Sequence, residues 1–116
     1  MPNEPDADFV IIGAGSAGCV IAARLSEDPN TKVVLLEAGG ADTNHWIHIP
    51  LGFGKTFADA TVNWCYETEP DPSIGGRKIF WPRGKVLGGS SSINGMVYIR
   101  GQKEDFDHWR QLGNAG

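Results

Sequence analysis

Residues 8–18 read Asp-Phe-Val-Ile-Ile-Gly-Ala-Gly-Ser-Ala-Gly. The apolar residues 9–12 are rich in β-branched side chains and are bounded by an acid and a glycine, a pattern that predicts a short buried strand of a parallel sheet. Gly13, Gly15 and Gly18 follow in the spacing G-x-G-x-x-G, which is typical of a turn between a strand and a helix. We therefore predict an α/β fold that begins with a strand, a glycine-rich turn and a helix.

The segment that follows completes a strand–helix–strand unit. Residues 17–26 place Val20, Ile21 and Leu25 along one side at helical spacing, with small residues where the helix must approach the sheet. A proline-containing turn ends this helix, and residues 32–37, Lys-Val-Val-Leu-Leu-Glu, predict a second buried strand with an acid at its end. Since such crossovers are right-handed and join parallel strands, we predict a Rossmann-like βαβ unit.

An acid at the end of the second strand gives the glycine spacing its meaning. Glu37 stands about 20 residues after the glycines, the separation at which a carboxylate holds ribose hydroxyls in dinucleotide-binding proteins. Gly13 would permit the turn, Gly15 the close approach of a pyrophosphate, and Gly18 the packing of helix on strand. Because a carboxylate repels an added phosphate, the unit favours FAD or NAD over NADP. The alternatives are a glycine-rich turn without a ligand and a solvated Glu37.

The pattern changes after the second strand. Residues 38–60 show no strong period and are rich in glycine, which predicts an irregular, extended excursion. Residues 62–68 alternate with a period of two and predict a half-buried strand. Residues 78–81 are its expected antiparallel partner, across a turn at residues 71–76. A short hairpin should therefore follow the excursion.

The last part of the chain predicts two helical segments. Residues 91–96 are expected to form one or two helical turns, and residues 103–112 a longer helix that ends at Gly113. The large apolar residues of this longer helix recur at helical spacing and are expected to face inward. We expect core packing, rather than ligand contact, for the tryptophans of the last hairpin strand and of this helix. The tryptophans are Trp81 and Trp109, and the inward-facing residues of the helix are Phe106, Trp109 and Leu112.

A second glycine-rich segment lies at residues 82–95. It reads Pro-Arg-Gly-Lys-Val-Leu-Gly-Gly-Ser-Ser-Ser-Ile-Asn-Gly. A glycine pair, a row of hydroxyls and a helix start together expose backbone amides, which suit an anionic or polar ligand. The first glycine motif does not separate FAD from NAD, so the choice depends on this second segment.

The two segments together resemble the amino-terminal part of the glucose-methanol-choline (GMC) oxidoreductases. The signature of that family is similar to residues 84–94, and it accompanies the same Gly-Ala-Gly-Ser-Ala-Gly loop and a Glu-Ala-Gly that ends at Gly39. The resemblance covers residues 8–112. Residues 47–52 and 80–101 look most like the bacterial choline-dehydrogenase-like and alcohol dehydrogenase members.

The resemblance implies a cofactor and the residues that hold it. The family binds FAD, so the first glycine loop is expected at the pyrophosphate, Glu37 at the adenosine ribose and Trp64 beside the adenine. The second segment is expected along the flavin and its ribityl chain. Ile93 stands where some members carry a histidine that links the flavin, so the implied FAD is non-covalent. The expected cofactor-binding residues are Gly13, Gly15, Ser16, Ala17, Gly18, Glu37, Ala38, Trp64, Gly84, Val86, Gly88, Gly89, Ser90, Asn94, Gly95, Met96 and Val97.

The resemblance also implies a reaction. In this family an alcohol becomes an aldehyde or ketone, because its carbon gives a hydride to FAD while a histidine near the carboxyl terminus takes the hydroxyl proton. His45, His48 and His108 match no catalytic position of the family, so no catalytic residue is assigned within this chain. The electron acceptor is expected to be oxygen or a quinone.

Residues 1–116 are thus expected to be the amino-terminal part of a FAD-binding domain. The catalytic histidine, the substrate domain and the carboxyl-terminal half would lie beyond the chain. Two alternatives are a non-catalytic FAD- or ADP-binding module and an inactive truncated remnant with exposed strand edges. An NAD-dependent dehydrogenase is a third, which rests on the first glycine motif alone.

Composition narrows the remaining function classes. The chain has 14 acidic and 10 basic residues and a net charge of -4 without a basic stripe, which argues against nucleic-acid binding. Cys19 and Cys65 lack metal-ligand spacing and are expected to be reduced thiols without a metal. Residues 1–6 are polar without a signal-peptide pattern, and no apolar run is long enough to span a membrane. We therefore expect a cytoplasmic protein without a transmembrane segment.

Overall fold

The computed structural model describes residues 7–114, so the polar start at residues 1–6 lies outside the described residues. Two strands, β1 (Phe9–Ile12) and β2 (Val33–Leu36), pair in parallel over their full length. Helix α1 (Ser16–Leu25) connects them and packs against both. The predicted Rossmann-like βαβ unit is therefore confirmed, at nearly the predicted boundaries.

Helix α1 approaches the sheet through its small side chains. Gly18, Ala22 and Leu25 are half-buried, whereas Val20 and Ile21 are 60% and 48% exposed. The prediction that Val20 and Ile21 share the packed side with Leu25 is wrong. Because a helix lies close to a sheet only where its side chains are small, the glycine and alanine positions take that face and the larger pair points away.

The excursion after β2 is more helical than its sequence predicts. It contains two 3-10 helices, His45–His48 and Pro50–Gly52, followed by a single turn of helix α2 (Phe53–Thr56). The side chain of Asn44 accepts a hydrogen bond from the amide of Trp46 and so caps the first of these. Local hydrogen bonds of this kind order the segment. They leave no hydrophobic period in the sequence, so the periodicity predicts an irregular chain here.

The hairpin is confirmed, although it is shorter than predicted. Strand β3 (Tyr66–Glu67) pairs in antiparallel fashion with β4 (Phe80–Trp81). Cys65 interrupts the predicted strand because its φ is +53°, in the left-handed region that side chains rarely adopt. Trp64 is 41% exposed and Trp81 is 45% exposed, so the prediction that Trp81 packs in a core is wrong for the described chain.

The second glycine-rich segment forms a tight turn in place of the helix predicted at residues 91–96. Gly88 and Gly89 have φ of +91° and +58°, and a 3-10 helix spans Gly89–Ser92. The Ser92 hydroxyl donates to the carbonyl of Leu87 at 2.8 Å, which holds the turn closed. Ile93, directly after it, joins Val62 and Val86 in the buried cluster against which Ile47 packs.

Helix α3 (Lys103–Gln111) forms as predicted, and Gly113, whose φ is +90°, follows its C-cap Leu112. The amide of Asn114 donates to the carbonyl of Trp109 across this end, as in a Schellman motif. The inward-facing prediction is wrong for the described residues, because Phe106, Trp109 and Leu112 are 55%, 57% and 67% exposed. The rings of Phe106 and Trp109 instead pack edge to face against each other, with their centroids 5.5 Å apart.

Asp59 fastens the end of the excursion. Its Oδ1 accepts hydrogen bonds from the amide and hydroxyl of Thr61, at 2.9 and 2.6 Å, and its Oδ2 accepts one from the side chain of Asn44 at 2.8 Å. The hydroxyl bond from Thr61, followed by the amide bond, holds the pKa of Asp59 below its ordinary value. The charged carboxylate is therefore favoured in the folded state.

We expect the stabilisation from Asp59 to disappear in acid. A lowered folded-state pKa gives stability that is present above the ordinary Asp pKa of about 3.9 and is lost as the pH falls through the folded value. The measurement is the difference in free energy of unfolding between the protein and Asp59→Ala in urea, which should shrink from neutral pH to about pH 3. A difference that does not change with pH would contradict this account.

Candidate cofactor-binding site

A cleft of about 510 Å³ opens at the carboxyl ends of the two parallel strands. This is the edge at which open α/β sheets bind their ligands. Both glycine-rich segments contribute to its walls, although most of the chain separates them in sequence. The lining residues are Ile12, Gly13, Gly15, Leu36, Glu37, Ala38, Trp64, Gly84 and Gly89.

Backbone contacts seat the second glycine segment on the first. The amide of Gly88 donates to the carbonyl of Ala14 at 2.8 Å, and the amide of Leu87 donates to the carbonyl of Gly40 at 2.8 Å. Gly40, shortly after β2, and Val86 also form an isolated parallel bridge. The second segment therefore runs parallel to the chain that leaves β2. The two motifs that the sequence separates therefore form one structure.

This seating requires glycine where the backbones meet. A Cβ at Gly39 would overlap the main chain of Lys85 and Val86, and a Cβ at Gly89 would lie 2.8 Å from the Cα of Gly15. Real side chains essentially never come so close. Close approach alone thus explains Gly39, whereas Gly89 needs glycine both for close approach and for its φ of +58°.

Glu37 lines the cleft and connects the first glycine loop to the turn after β2. Its Oε2 accepts a hydrogen bond from the amide of Ala14 at 2.7 Å, and its Oε1 accepts one from the amide of Gly39 at 2.9 Å. A carboxylate has about four acceptor positions, so each oxygen can accept a further bond from a ligand. Glu37 therefore combines a structural role with an acceptor surface in the cleft.

The amino terminus of α1 supplies donors for an anion. Gly15 is its N-cap and has no side chain to cap it, and the first turn carries no acidic residue. Within residues 7–114 the main-chain amides of Ser16 and Ala17 meet no hydrogen-bond acceptor. Free amides and the positive end of the helix dipole together favour a phosphate at this point.

Gly15 provides the test of whether a pyrophosphate fits. Its φ is -80°, and a Cβ built on it meets no atom within 4 Å. Neither backbone conformation nor packing within the described chain demands glycine there. A ligand that must approach the backbone does demand it, so the residues present fit the pyrophosphate of a dinucleotide.

Gly18 has the packing role that the sequence predicts for it. A Cβ at this position would overlap the carbonyl oxygen of Gly13 and would lie 3.4 Å from the side chain of Ile11. Gly13 itself has a φ of +97°, as expected for the turn. Gly18 therefore lets helix and strand meet but does not line the cleft.

Trp64 is the aromatic residue of the cleft lining, and aromatic and cationic side chains pack around it. The ring of Trp64 stacks on Tyr66 with centroids 5.8 Å apart, and the Nζ of Lys85 lies 4.7 Å from the centre of the Trp64 ring. Arg83 lies over Trp81 at 4.9 Å. Both cations thus rest on indole rings, and Lys85 brings positive charge beside the cleft-lining Trp64.

The remaining expected residues lie around the cleft rather than on its walls. Val86 is 1% exposed in the core, and the Ser90 hydroxyl accepts from the amide of Gly84 at 3.1 Å. Ser90 and Asn94 line a separate cleft of about 270 Å³ with Phe57, Pro82, Arg83 and Ile93. Gly88 contacts the first loop, and Gly95, Met96 and Val97 lie past the 3-10 helix, with Met96 and Val97 at 54% and 83% exposure. Their contact with a cofactor stays a prediction.

Two cleft residues, Ile12 and Leu36, lie outside the predicted site. Ile12 and Leu36 are the last residues of β1 and β2 and form part of its floor. The signal was present, because ligands of open α/β sheets bind beyond the carboxyl ends of the strands. Their apolar side chains by themselves predict only buried strand positions.

Other kinds of site find no support in the described part of the chain. Within residues 7–114 no three His, Cys, Asp or Glu side chains could share a metal ion. No helix there has the length and apolar character needed to cross a membrane. His45, His48 and His108 are all exposed.

Comparison with known proteins identifies the family. The sequence model of the family described as GMC oxidoreductase matches residues 7–116. An alcohol dehydrogenase (acceptor) of Pseudomonas putida is 57% identical over 106 residues, 91% of this chain and 19% of that protein. The mitochondrial choline dehydrogenase of Mus musculus is 51% identical over 115 residues, 93% of this chain and 19% of that protein.

Solved structures agree with the sequence match. A formate oxidase variant of Aspergillus oryzae RIB40, studied for the modification of its FAD, superposes with a TM-score of 0.74 at 36% identity. The match covers 90% of this chain and 18% of that one. This chain spans 19% of the length of the two curated relatives, so it corresponds to one part of such proteins. The chain belongs to the GMC oxidoreductase family, and it carries the amino-terminal, FAD-binding part of that family's fold.

Proposed function

We propose that the cleft holds the adenosine diphosphate half of FAD, in a protein that oxidises an alcohol to an aldehyde or ketone. The observation that carries the proposal is the seating of the second glycine segment on the first, because it builds one cleft from both motifs. The names of the relatives, alcohol dehydrogenase and choline dehydrogenase, support an alcohol as substrate.

The residues of this chain bind and orient. The free amides at the start of α1 hold the pyrophosphate, Glu37 accepts hydrogen bonds from the ribose hydroxyls, and Trp64 lies beside the adenine. When bound, FAD accepts the hydride that leaves the alcohol carbon. The base that takes the hydroxyl proton belongs to a part of the protein outside residues 1–116, and the electrons pass on to oxygen or a quinone.

Localisation in the cytoplasm is part of the same proposal. Cys19 and Cys65 are both free thiols. The thiol of Cys19 donates to the carbonyl of Ala14 at 3.2 Å, which gives it a packing role. Reduced structural thiols are typical of reducing compartments.

Glu37→Gln should weaken the binding of both FAD and ADP. The substitution replaces charged hydrogen bonds to the ribose, worth about 1.5–3 kcal/mol each, by neutral ones, worth about 0.5–1.5 kcal/mol, so we expect a loss of about tenfold in affinity. The measurement is calorimetric titration of the purified protein with FAD, ADP and NAD, together with gel filtration to establish that it is monomeric and folded.

Glu69→Gln is the matched control, because Glu69 is exposed and lies outside the cleft. It should bind FAD as the unaltered protein does. A folded protein that binds NAD but not FAD would overturn the proposal in favour of a nicotinamide cofactor. An aggregated protein would point to a remnant, and equal FAD affinities for Glu37→Gln and Glu69→Gln would remove Glu37 from the site.

A further inference from the structure

Asn63 is a buried polar residue beside the cleft that no motif singles out. Its side chain is 2% exposed, and it is followed directly by the cleft-lining Trp64. Asn63 also forms an isolated antiparallel bridge with Gly84, another cleft-lining residue. It therefore stands between two parts of the same wall without lining the cleft itself.

The side-chain amide of Asn63 joins three segments of the chain. Its Oδ1 accepts hydrogen bonds from the amide of Cys65 at 3.0 Å and from the amide of Arg83 at 2.9 Å. Its Nδ2 donates to the carbonyl of Phe57 at 2.8 Å, at the end of α2. The excursion and both sides of the hairpin are thus fixed to one another at a single buried point.

The bond to Cys65 sets the path of the chain around Trp64. A left-handed φ of +53° at Cys65 is unfavourable for a residue with a side chain, so it persists only where the surroundings hold it. Asn63 Oδ1 holds it by an Asx-type bond to the residue two positions on. The amide of Trp64 meanwhile donates to the carbonyl of Arg83 at 2.9 Å, which fixes the Trp64 main chain against the opposite side of the hairpin.

The hydrogen bond from the amide of Arg83 fixes the start of the second glycine segment in the same way. Arg83 directly precedes Gly84, whose amide donates to the Ser90 hydroxyl at 3.1 Å. A Cβ at Gly84 would overlap the carbonyl of Gly89, so these two cleft-lining glycines are in close backbone contact. A shift of Arg83 would therefore move the wall on the side of the second segment.

We infer that Asn63 is a positioning residue for the adenine side of the cofactor cleft. Its amide makes no contact with the ligand and acts through Trp64 and Gly84, which it holds in the positions where they line the cleft. The inference rests on the proposed function, because the ligand on that wall is the adenosine part of FAD.

The test is the affinity for ADP, measured by calorimetry on the protein, on Asn63→Ala and on Asn63→Asp. Alanine leaves two main-chain amides without their acceptor, so ADP affinity should fall about tenfold. Aspartate keeps an oxygen for both amides but loses the donor to the Phe57 carbonyl, so it should restore part of that loss. Asn44→Ala is the matched control. The Asn44 side chain also accepts a hydrogen bond from one main-chain amide, that of Trp46, and donates one, to Asp59, but it does not line this cleft.

A double-mutant cycle with Trp64→Ala separates positioning from general loss of stability. If Asn63 acts through Trp64, adding Asn63→Ala to Trp64→Ala should cost clearly less ADP affinity than Asn63→Ala costs alone. If circular dichroism shows that Asn63→Ala is unfolded, Asn63→Ser takes its place in both comparisons.

The possible outcomes are distinct. A tenfold loss with rescue by aspartate and a non-additive cycle supports the inference. Full additivity, or a loss no greater than that of Asn44→Ala, overturns the inference and leaves the proposed function intact. An unaltered, folded protein that binds neither ADP nor FAD overturns the proposed function and this inference with it.

Discussion

Gly39→Ala should lower the free energy of unfolding by about 3 kcal/mol, the upper end of the usual cost of overpacking. The added Cβ would overlap the main-chain carbonyl of Lys85 and the amide nitrogen of Val86, and backbone atoms cannot move aside as the tip of a side chain can. The second glycine segment would have to move away from the turn that follows β2. Urea unfolding followed by circular dichroism measures the change.

Gly40→Ala is a control of the same chemistry at the next residue. A Cβ at Gly40 meets no atom within 4 Å, and neither Gly39 nor Gly40 has a positive φ. The substitution should therefore change stability by no more than about 0.5 kcal/mol. Similar effects at the two positions would show that close contact between the segments is not what requires glycine at position 39.

Gly15→Ala should leave stability nearly unchanged and weaken ADP and FAD binding about a hundredfold, a free-energy cost of about 2.7 kcal/mol. Its φ of -80° suits alanine, and the methyl group would occupy open space in the cleft rather than clash with the protein. The group displaced would be the pyrophosphate, which must approach this backbone closely. Calorimetric titration with ADP measures the loss.

Gly54→Ala serves as its control, since a Cβ at Gly54 also meets no atom within 4 Å and Gly54 lies in α2, outside the cleft. It should bind ADP with unchanged affinity. Unchanged affinity for Gly15→Ala as well would argue that no phosphate binds at the start of α1.

The parts of the fold that the sequence predicts well are those in which local pattern and packing agree. The apolar runs at residues 9–12 and 33–36 give β1 and β2, and the turn glycines give the start of α1. The predictions fail where the rest of the structure decides whether a side chain is buried or exposed. Phe106 and Trp109 stand at helical spacing, which predicts a shared buried face. Within residues 7–114, however, helix α3 exposes both of them to solvent.

The candidate site divides in the same way. Gly13, Gly15 and Glu37 could be predicted because a phosphate and a ribose impose residue types at fixed spacings. Asn63 could not, because its importance comes from two amides, at Cys65 and Arg83, that meet its oxygen only after the hairpin has formed. Long-range hydrogen bonds of this kind leave no periodic trace in a sequence.

The hydrogen bond from Gly88 to Ala14 also has a kinetic consequence. It closes a loop that contains most of the chain, and the entropy of closing a loop rises with its length. Strands and helix at residues 9–36 can form early from neighbouring residues, whereas the cleft is complete only once this distant contact is made. Ligand therefore stabilises the finished state alone, and we expect it to slow unfolding while the rate of folding stays the same.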